Sequence, residues 1–149
     1  MKLIFDRNSA RFYESWRRSS PSGNIERSME SVIRSVLAPL PGERLLDIGC
    51  GDGNHLLMFN RLGLDVTGVD ASVDMVEEAR SRLGSRSALK VGMAEDLPFD
   101  DNEFDLAVFI HTLEFLDNPL PALREAGRVA RRKVFIGVLN SLSWNGILK

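Results

Sequence analysis

The sequence has little of the residue types that mark several special classes of protein. Its 149 residues include one cysteine and two histidines. One cysteine cannot form an internal disulfide, and this set is too small and too scattered for a structural zinc site, so no metal is predicted. The net charge is only −2, and an interspersed, nearly balanced charge argues against a nucleic-acid partner.

Long apolar runs are also missing. No stretch approaches the ~20 residues that a membrane-spanning helix needs, and residues 1–6 do not have the pattern of a signal peptide. We therefore expect a cytoplasmic protein without a membrane partner. The hydrophobic share of 44% and the charged share of 27% are typical of one globular domain.

The chain divides into two regions by pattern. Residues 1–24 are polar with embedded aromatic side chains, and we predict that they form an N-terminal flap. Residues 25–149 are predicted to form the main domain. Apolar residues recur there at helical spacing from Ile25 to Leu37, and Pro39 ends that helix.

From Glu43 onward, short apolar runs alternate with amphipathic helices. Strands are predicted at 45–48, 64–69, 88–91, 104–110 and 134–139, and helices at about 54–62, after Ser72 and at about 119–130. Such alternation is typical of a parallel sheet with right-handed crossovers. The predicted fold is a single Rossmann-like α/β domain with strand order 3-2-1-4-5, helices on both faces, and a chain that is truncated after strand five.

The most informative segment is a glycine loop, Gly49-Cys50-Gly51-Asp52-Gly53, where the first strand turns into a helix. Glycines there let the backbone pass close to a ligand. Asp70 ends the second strand, and a carboxylate at that place can accept hydrogen bonds from both hydroxyls of a ribose. The loop and the carboxylate together predict a nucleoside site.

Two alternatives compete with this interpretation. A dinucleotide site needs glycines at the first, third and sixth positions of the loop, and Asn54 stands at the sixth. Asp47, just before the loop, suits an ammonium group better than a pyrophosphate. A glycine turn that binds nothing is the other alternative, and the position of Asp70 argues against it.

Three segments, in this order, resemble motifs of class I S-adenosylmethionine (SAM) dependent methyltransferases of type 11. Residues 47–53 resemble motif I, residues 94–105 the segment after strand three, and residues 113–119 the segment after strand four. The resemblance covers about residues 40–139. It implies that the chain binds SAM or S-adenosylhomocysteine and methylates a small-molecule acceptor. A non-catalytic SAM-binding or interaction subunit is the alternative.

The resemblance also assigns roles by position. It implies that one group of residues surrounds the methionine part of the cofactor: Asp47, Gly49, Gly51 and Gly53. It implies that the ribose and the adenine contact a second group: Asp70, Ala71, Met93, Ala94 and Glu95. His111 would lie near the sulfonium.

Two residues depart from the family pattern. Met93 replaces a polar residue at the adenine edge, and Phe115 stands where relatives commonly carry histidine. His111 and Glu114 are then the candidates for a base, and no catalytic residue is assigned. Cys50 is predicted to be a packed residue and not a nucleophile.

The last ten residues follow the fifth strand, whereas domains of this family continue with a helix and two strands. Either the chain is truncated or another chain walls the acceptor site. The edge of the fifth strand is then expected to be covered by the last ten residues, by a different subunit or by a second copy, and a homodimer is the favoured hypothesis. The run Arg131-Arg132-Lys133 is interpreted as the polar start of the fifth strand, with contact to an anionic partner as the alternative.

Overall fold

The computed structural model describes residues 22–138 together with Asn8 and Ser15. The aromatic residues of the predicted N-terminal flap and residues 139–149, near the predicted end of the fifth strand and beyond it, lie outside this part of the chain. No helix in it is long and apolar enough to cross a membrane.

The described part of the chain alternates between strands and helices, as the sequence predicts. Its elements are α1 (Ser22–Leu37), β1 (Arg44–Ile48), α2 (Asn54–Arg61), β2 (Asp65–Asp70), α3 (Val73–Leu83), β3 (Ala88–Val91), β4 (Phe104–Ile110), α4 (Leu120–Val129) and β5 (Ala130–Gly137). Two short 3-10 turns lie at Gly84–Arg86 and Leu113–Phe115.

The five strands form one parallel sheet in the order β3-β2-β1-β4-β5, which confirms the predicted topology. One face of the sheet packs against α1, α2 and α3, with Ile33, Leu56 and Ala79 fully buried. The other face packs against α4 through Ala122 and Ala126. Because both faces are covered, β4 is buried along most of its length, as parallel strands usually are.

Helix boundaries follow local signals. The Ser72 hydroxyl accepts a hydrogen bond from the Met75 amide at 3.2 Å and so caps α3, as the sequence predicts. Helix α1 begins at Ser22, three residues before the predicted start at Ile25. At the other end of α1, Lys133 Nζ donates to the Leu37 carbonyl at 3.1 Å. A cation at that end stabilises the helix.

The fifth strand was predicted at 134–139; the predicted start was wrong, and the predicted end, Leu139, lies outside the described residues. Strand β5 begins at Ala130, directly after α4, and ends at Gly137. Phe104 lies opposite Ala130 but Leu106 lies opposite Lys133, so β5 contains one extra residue, a β-bulge. The start was missed because polar residues occupy it.

Long-range ion pairs explain why polar residues can begin this strand. Arg131 pairs with Asp105, and Arg132 pairs with Glu43 at 2.8 Å. With Lys133 bound to helix carbonyls, all three cations of the run have acceptors within the chain. The structure therefore favours the polar strand start over contact with an anionic partner.

Candidate cofactor site

The carboxyl ends of the strands bring the predicted site residues to one edge of the sheet. The glycine loop follows β1, and the amides of Gly49 and Cys50 both donate to the Val69 carbonyl, at 2.8 and 3.1 Å. These bonds hold the loop against the end of β2, where Asp70 lies. The structure thus places the loop beside the carboxylate.

Several amides of the loop and of the helix start are engaged within the protein. Gly51 N donates to Asp70 Oδ2 at 2.9 Å, Gly53 N to the Cys50 carbonyl at 3.1 Å, and Asn54 N to Asp52 Oδ1 at 3.2 Å. A pyrophosphate at a helix N-terminus needs such N–H groups as donors. These three amides are therefore not available to a pyrophosphate.

The three glycines of the loop meet different surroundings. A Cβ on Gly49, at φ 77°, would lie 2.3 Å from Thr112 Cγ2, and one on Gly53, at φ 81°, would lie 2.8 Å from Leu83 Cδ1. A Cβ on Gly51 would meet nothing closer than 3.5 Å. The outer two glycines are thus required by protein packing, and Gly51 is the one that leaves space beside the loop.

Cys50 is buried under this loop with 5% of its surface exposed. Its sulfur lies in the space that a side chain on Gly68 would need, since a Cβ there would be 2.8 Å from Sγ. Burial, and then the negative charge of Asp47, raise the pKa of the thiol well above its usual value. A protonated, packed thiol is a poor nucleophile, which supports the packing role predicted for Cys50.

Asp47 is the buried acid of the site. It is 1% exposed within β1, and its Oδ2 atom has no hydrogen-bond partner among the described residues. Burial, and then repulsion by Asp70, raise the pKa of Asp47 to about 8. A buried carboxyl group without a partner is unfavourable. An ammonium group bound beside it would supply both a donor and a counter-charge, so the site fits a ligand that carries one.

The Asp70 carboxylate is held by two backbone amides. Oδ2 accepts from Gly51 N and Oδ1 accepts from Ser72 N, both at 2.9 Å. Burial raises the pKa of Asp70, and these two hydrogen bonds offset part of that rise. Each oxygen of a carboxylate can accept more than one hydrogen bond, so the group can still receive two ribose hydroxyls.

The predicted adenine-edge residues follow β3. The Gly92 amide donates to the Asp70 carbonyl at 3.0 Å, which brings the next residue, Met93, close to the end of β2. Residues 93–96 form a tight turn in which the Asp96 amide donates to the Met93 carbonyl at 3.1 Å. Met93 and Glu95 are half-buried, and Ala94 packs against the α4 core.

His111 and Glu114 follow β4 as the sequence predicts, and the structure brings them together. His111 Nδ1 lies 3.7 Å from Glu114 Oε1. The His111 backbone has φ 53°, a left-handed conformation that is rare for a residue other than glycine, and its amide donates to the Gly137 carbonyl at 2.8 Å. Phe115, the second departure from the family pattern, is 37% exposed.

Sequence reasoning missed two residues that hold the loop. The Thr112 hydroxyl lies 3.1 Å from the Ile48 carbonyl and its methyl group faces Gly49. Asp52, buried in the loop, pairs with Arg82 of α3 at 3.2 Å. Both contacts join segments far apart in the chain, so no local pattern signals them. In the part of the chain that the structure describes, no three acidic, histidine or cysteine side chains are grouped to hold a metal ion.

Comparison with known proteins identifies the family. A family model described as a methyltransferase domain matches residues 46–136. O-methyltransferase resE of Aspergillus sclerotiorum is 35% identical over 127 residues, which cover 78% of this chain and 47% of that protein. Demethylmenaquinone methyltransferase of Corynebacterium kroppenstedtii is 32% identical over 110 residues, which cover 74% of this chain and 47% of that protein.

Comparison with solved structures supports the same family. A SAM-dependent methyltransferase from Thermotoga maritima has a TM-score of 0.69 at 30% identity and is matched over 93% of this chain and 64% of its own. A protein from Methanococcus maripaludis has a TM-score of 0.80 over 93% of this chain and 66% of its own; at 23% identity it supports the fold alone. The chain spans about half the length of the curated relatives it matches. It belongs to the class I SAM-dependent methyltransferases of type 11.

Proposed function

We propose that the chain binds SAM at the carboxyl edge of its sheet and transfers the methyl group to a small-molecule acceptor. The observation that carries this proposal is the Oδ2 atom of Asp47, which is buried beside the glycine loop without a hydrogen-bond partner in the described structure. The amino group of SAM is the complementary group. When bound, SAM supplies a methyl group on a positively charged sulfur.

Each end of the site would hold a different part of the cofactor. Asp47 would pair with the amino group, and Asp70 would accept the ribose hydroxyls through the lone pairs that Gly51 and Ser72 leave available. The adenine would lie among the residues that follow β2 and β3. These residues are Ala71, Met93, Ala94 and Glu95.

The acceptor would bind near the end of β4, on the His111 side of the loop. Methyl transfer depends mainly on positioning and on exclusion of water, so a strong base is not always required. Where the acceptor is a hydroxyl, His111 or Glu114, whose side chains approach within 3.7 Å, would take its proton. The relative from Aspergillus sclerotiorum is an O-methyltransferase, which makes a hydroxyl oxygen the first acceptor atom to test.

Calorimetric titration with S-adenosylhomocysteine and with NAD tests the cofactor assignment. We expect binding of the former and none of the latter. Incubation with SAM and a panel of phenols, followed by measurement of S-adenosylhomocysteine formed, then tests turnover. Absence of heat with both SAM and S-adenosylhomocysteine would contradict the proposal.

We further propose that the protein works in the cytoplasm and that β5 is covered by a second copy of the chain. The support for the second copy is the exposure of apolar side chains along this edge strand and just after it: Val134 and Ile136 are 38% and 45% exposed, and Val138, which follows the strand, is 56% exposed. An uncovered edge with apolar side chains favours pairing with another chain.

A further inference from the structure

Thr112 touches the glycine loop in two ways. Its hydroxyl lies 3.1 Å from the Ile48 carbonyl, 3.3 Å from the Ile110 carbonyl and 3.4 Å from the Gly49 carbonyl. Its side chain also fills the space that a Cβ on Gly49 would need, with Cγ2 at 2.3 Å and Oγ1 at 2.5 Å from that point. One side chain therefore holds the loop both by hydrogen bonding and by shape.

The same residue lies between His111 and Glu114, whose side chains approach within 3.7 Å. His111 has a left-handed backbone, and such a conformation persists only where the surroundings hold it. Its amide is bound to the Gly137 carbonyl on one side of the turn. On the other side, Thr112 ties the turn to the end of β1.

Resting on the proposed function, we propose that Thr112 is a positioning residue that couples the cofactor loop to the His111–Glu114 pair. Thr112 fixes the Ile48–Gly49 backbone against the turn after β4. The distance between the glycine loop and the His111–Glu114 pair is therefore held constant. A ligand that displaces the loop therefore also changes the surroundings of His111. The acceptor side is in this way prepared by occupancy of the cofactor side.

Two substitutions separate the hydroxyl from the shape. Thr112→Ser keeps the hydroxyl and loses the methyl group, whereas Thr112→Val keeps the branched shape and loses the hydroxyl. Both are titrated calorimetrically with S-adenosylhomocysteine, and the imidazole proton signals are followed by NMR in parallel. The sequence contains two histidines, so the substitution His55→Gln identifies the signals of His111.

We expect Thr112→Ser to bind within about threefold of wild type and Thr112→Val at least about tenfold more weakly, because the partly buried Ile48 carbonyl loses its hydroxyl donor. We also expect saturating ligand to shift the His111 signals in wild type and Thr112→Ser, and to shift them less in Thr112→Val. Loss of folding alone would not produce rescue by serine together with an altered His111 response.

If Thr112→Val binds S-adenosylhomocysteine as tightly as wild type and its His111 NMR signals shift as they do in wild type, the proposed coupling is wrong. The proposed function would remain intact in that case. Wild-type protein that fails to bind S-adenosylhomocysteine would instead contradict the proposed function, and the coupling would fall with it. If circular dichroism shows that Thr112→Val is unfolded, Thr112→Ala is judged by the same two criteria.

Discussion

The carboxylate of Asp70 accepts a hydrogen bond from the Gly51 amide at 2.9 Å. Its other oxygen accepts the Ser72 amide at the start of α3. The residue expected to hold the ribose therefore also holds the glycine loop and the entry to the next helix. Binding and local order are linked through one side chain.

Replacement of Asp70 by alanine should weaken S-adenosylhomocysteine binding by roughly 10- to 150-fold, because charge-assisted hydrogen bonds to the ribose are lost. Asp70→Asn keeps one acceptor oxygen, so its affinity for S-adenosylhomocysteine should lie between the affinities of Asp70→Ala and wild type. Titration calorimetry measures both. Asp65→Ala, at the opposite end of β2, is the matched control and should bind as wild type does. Unchanged affinity in Asp70→Ala would remove this residue from the site.

Asp47 should make the stability of the ligand-free protein depend on pH. Its pKa is about 8 in the folded protein against an ordinary value of 3.8. Between these values the folded state keeps a proton that the unfolded state has released, so stability falls as pH rises through this window. Asp47→Asn lacks this titration. Urea unfolding at several pH values should show that the free energy of unfolding decreases less with rising pH in Asp47→Asn than in wild type. Part of the decrease should remain in the variant, because the pKa of Asp70 is also raised.

Ligand affinity should depend on pH in the opposite direction to stability, which gives a second test of Asp47. An ammonium group pairs with the ionised form of Asp47, and the ionised fraction increases as the pH rises toward about 8. Wild-type affinity for S-adenosylhomocysteine should therefore increase by up to about tenfold for each unit of pH increase in the range below about pH 8. Asp47→Asn should bind more weakly and lose most of that dependence. Equal affinity and equal pH dependence in the two proteins would show that Asp47 does not face the amino group.

The sequence predicted which candidate site residues lie together where its signals are local. The loop glycines, Asp47 and Asp70 stand at fixed places relative to strand ends, so a pattern of strands and turns is enough to bring them together. Thr112 could not be found in this way, because its role depends on β4 lying next to β1 in one register. The start of β5 was missed for the same reason, since the partner of Arg132 lies far away in sequence at Glu43.

Arg128 should be important for stability because it holds the segment that follows the adenine-edge turn. Its guanidinium group binds both oxygens of Glu125 at 2.8 Å and donates to the carbonyls of Phe99 and Leu97 at 2.8 and 3.1 Å. Its hydrogen bonds to Glu125, and then to Asp101, raise the pKa of Arg128, and the hydrogen bond from Arg128 lowers the pKa of Glu125. Arg128→Ala should lower the free energy of unfolding by about 2 kcal/mol, since a charged group makes several partly buried hydrogen bonds.

Urea unfolding measures the loss in Arg128→Ala. Arg131→Ala is the comparison, because Arg131 also pairs with an acid but is far more exposed. Exposed pairs contribute little, so its loss should be clearly smaller. A loss in Arg131→Ala equal to that in Arg128→Ala would show that the carbonyl contacts of Arg128 contribute nothing beyond an ordinary surface pair.

Met93 offers a test of the adenine edge. It lies in the tight turn after β3, where a methionine cannot accept a hydrogen bond from the adenine amino group as the usual polar residue does. Met93→Asp should therefore leave affinity for S-adenosylhomocysteine unchanged or increase it, as measured by calorimetry. A clear loss in a folded variant would mean that the methionine packs on the adenine ring.

The last prediction concerns the edge formed by β5. This strand ends the described sheet, and its apolar residues Val134 and Ile136 are exposed, as is Val138 directly after it. Unpaired backbone groups beside apolar side chains favour addition of a further strand or segment. A second copy of the chain is the expected cover, because two-fold dimers are the commonest assembly and would let each copy wall the other's acceptor site. Light scattering at micromolar concentration should then give the mass of a dimer. A monomer whose β5 amides exchange rapidly with solvent would contradict the prediction, whereas a monomer with protected β5 amides would assign the cover to the segment that follows β5.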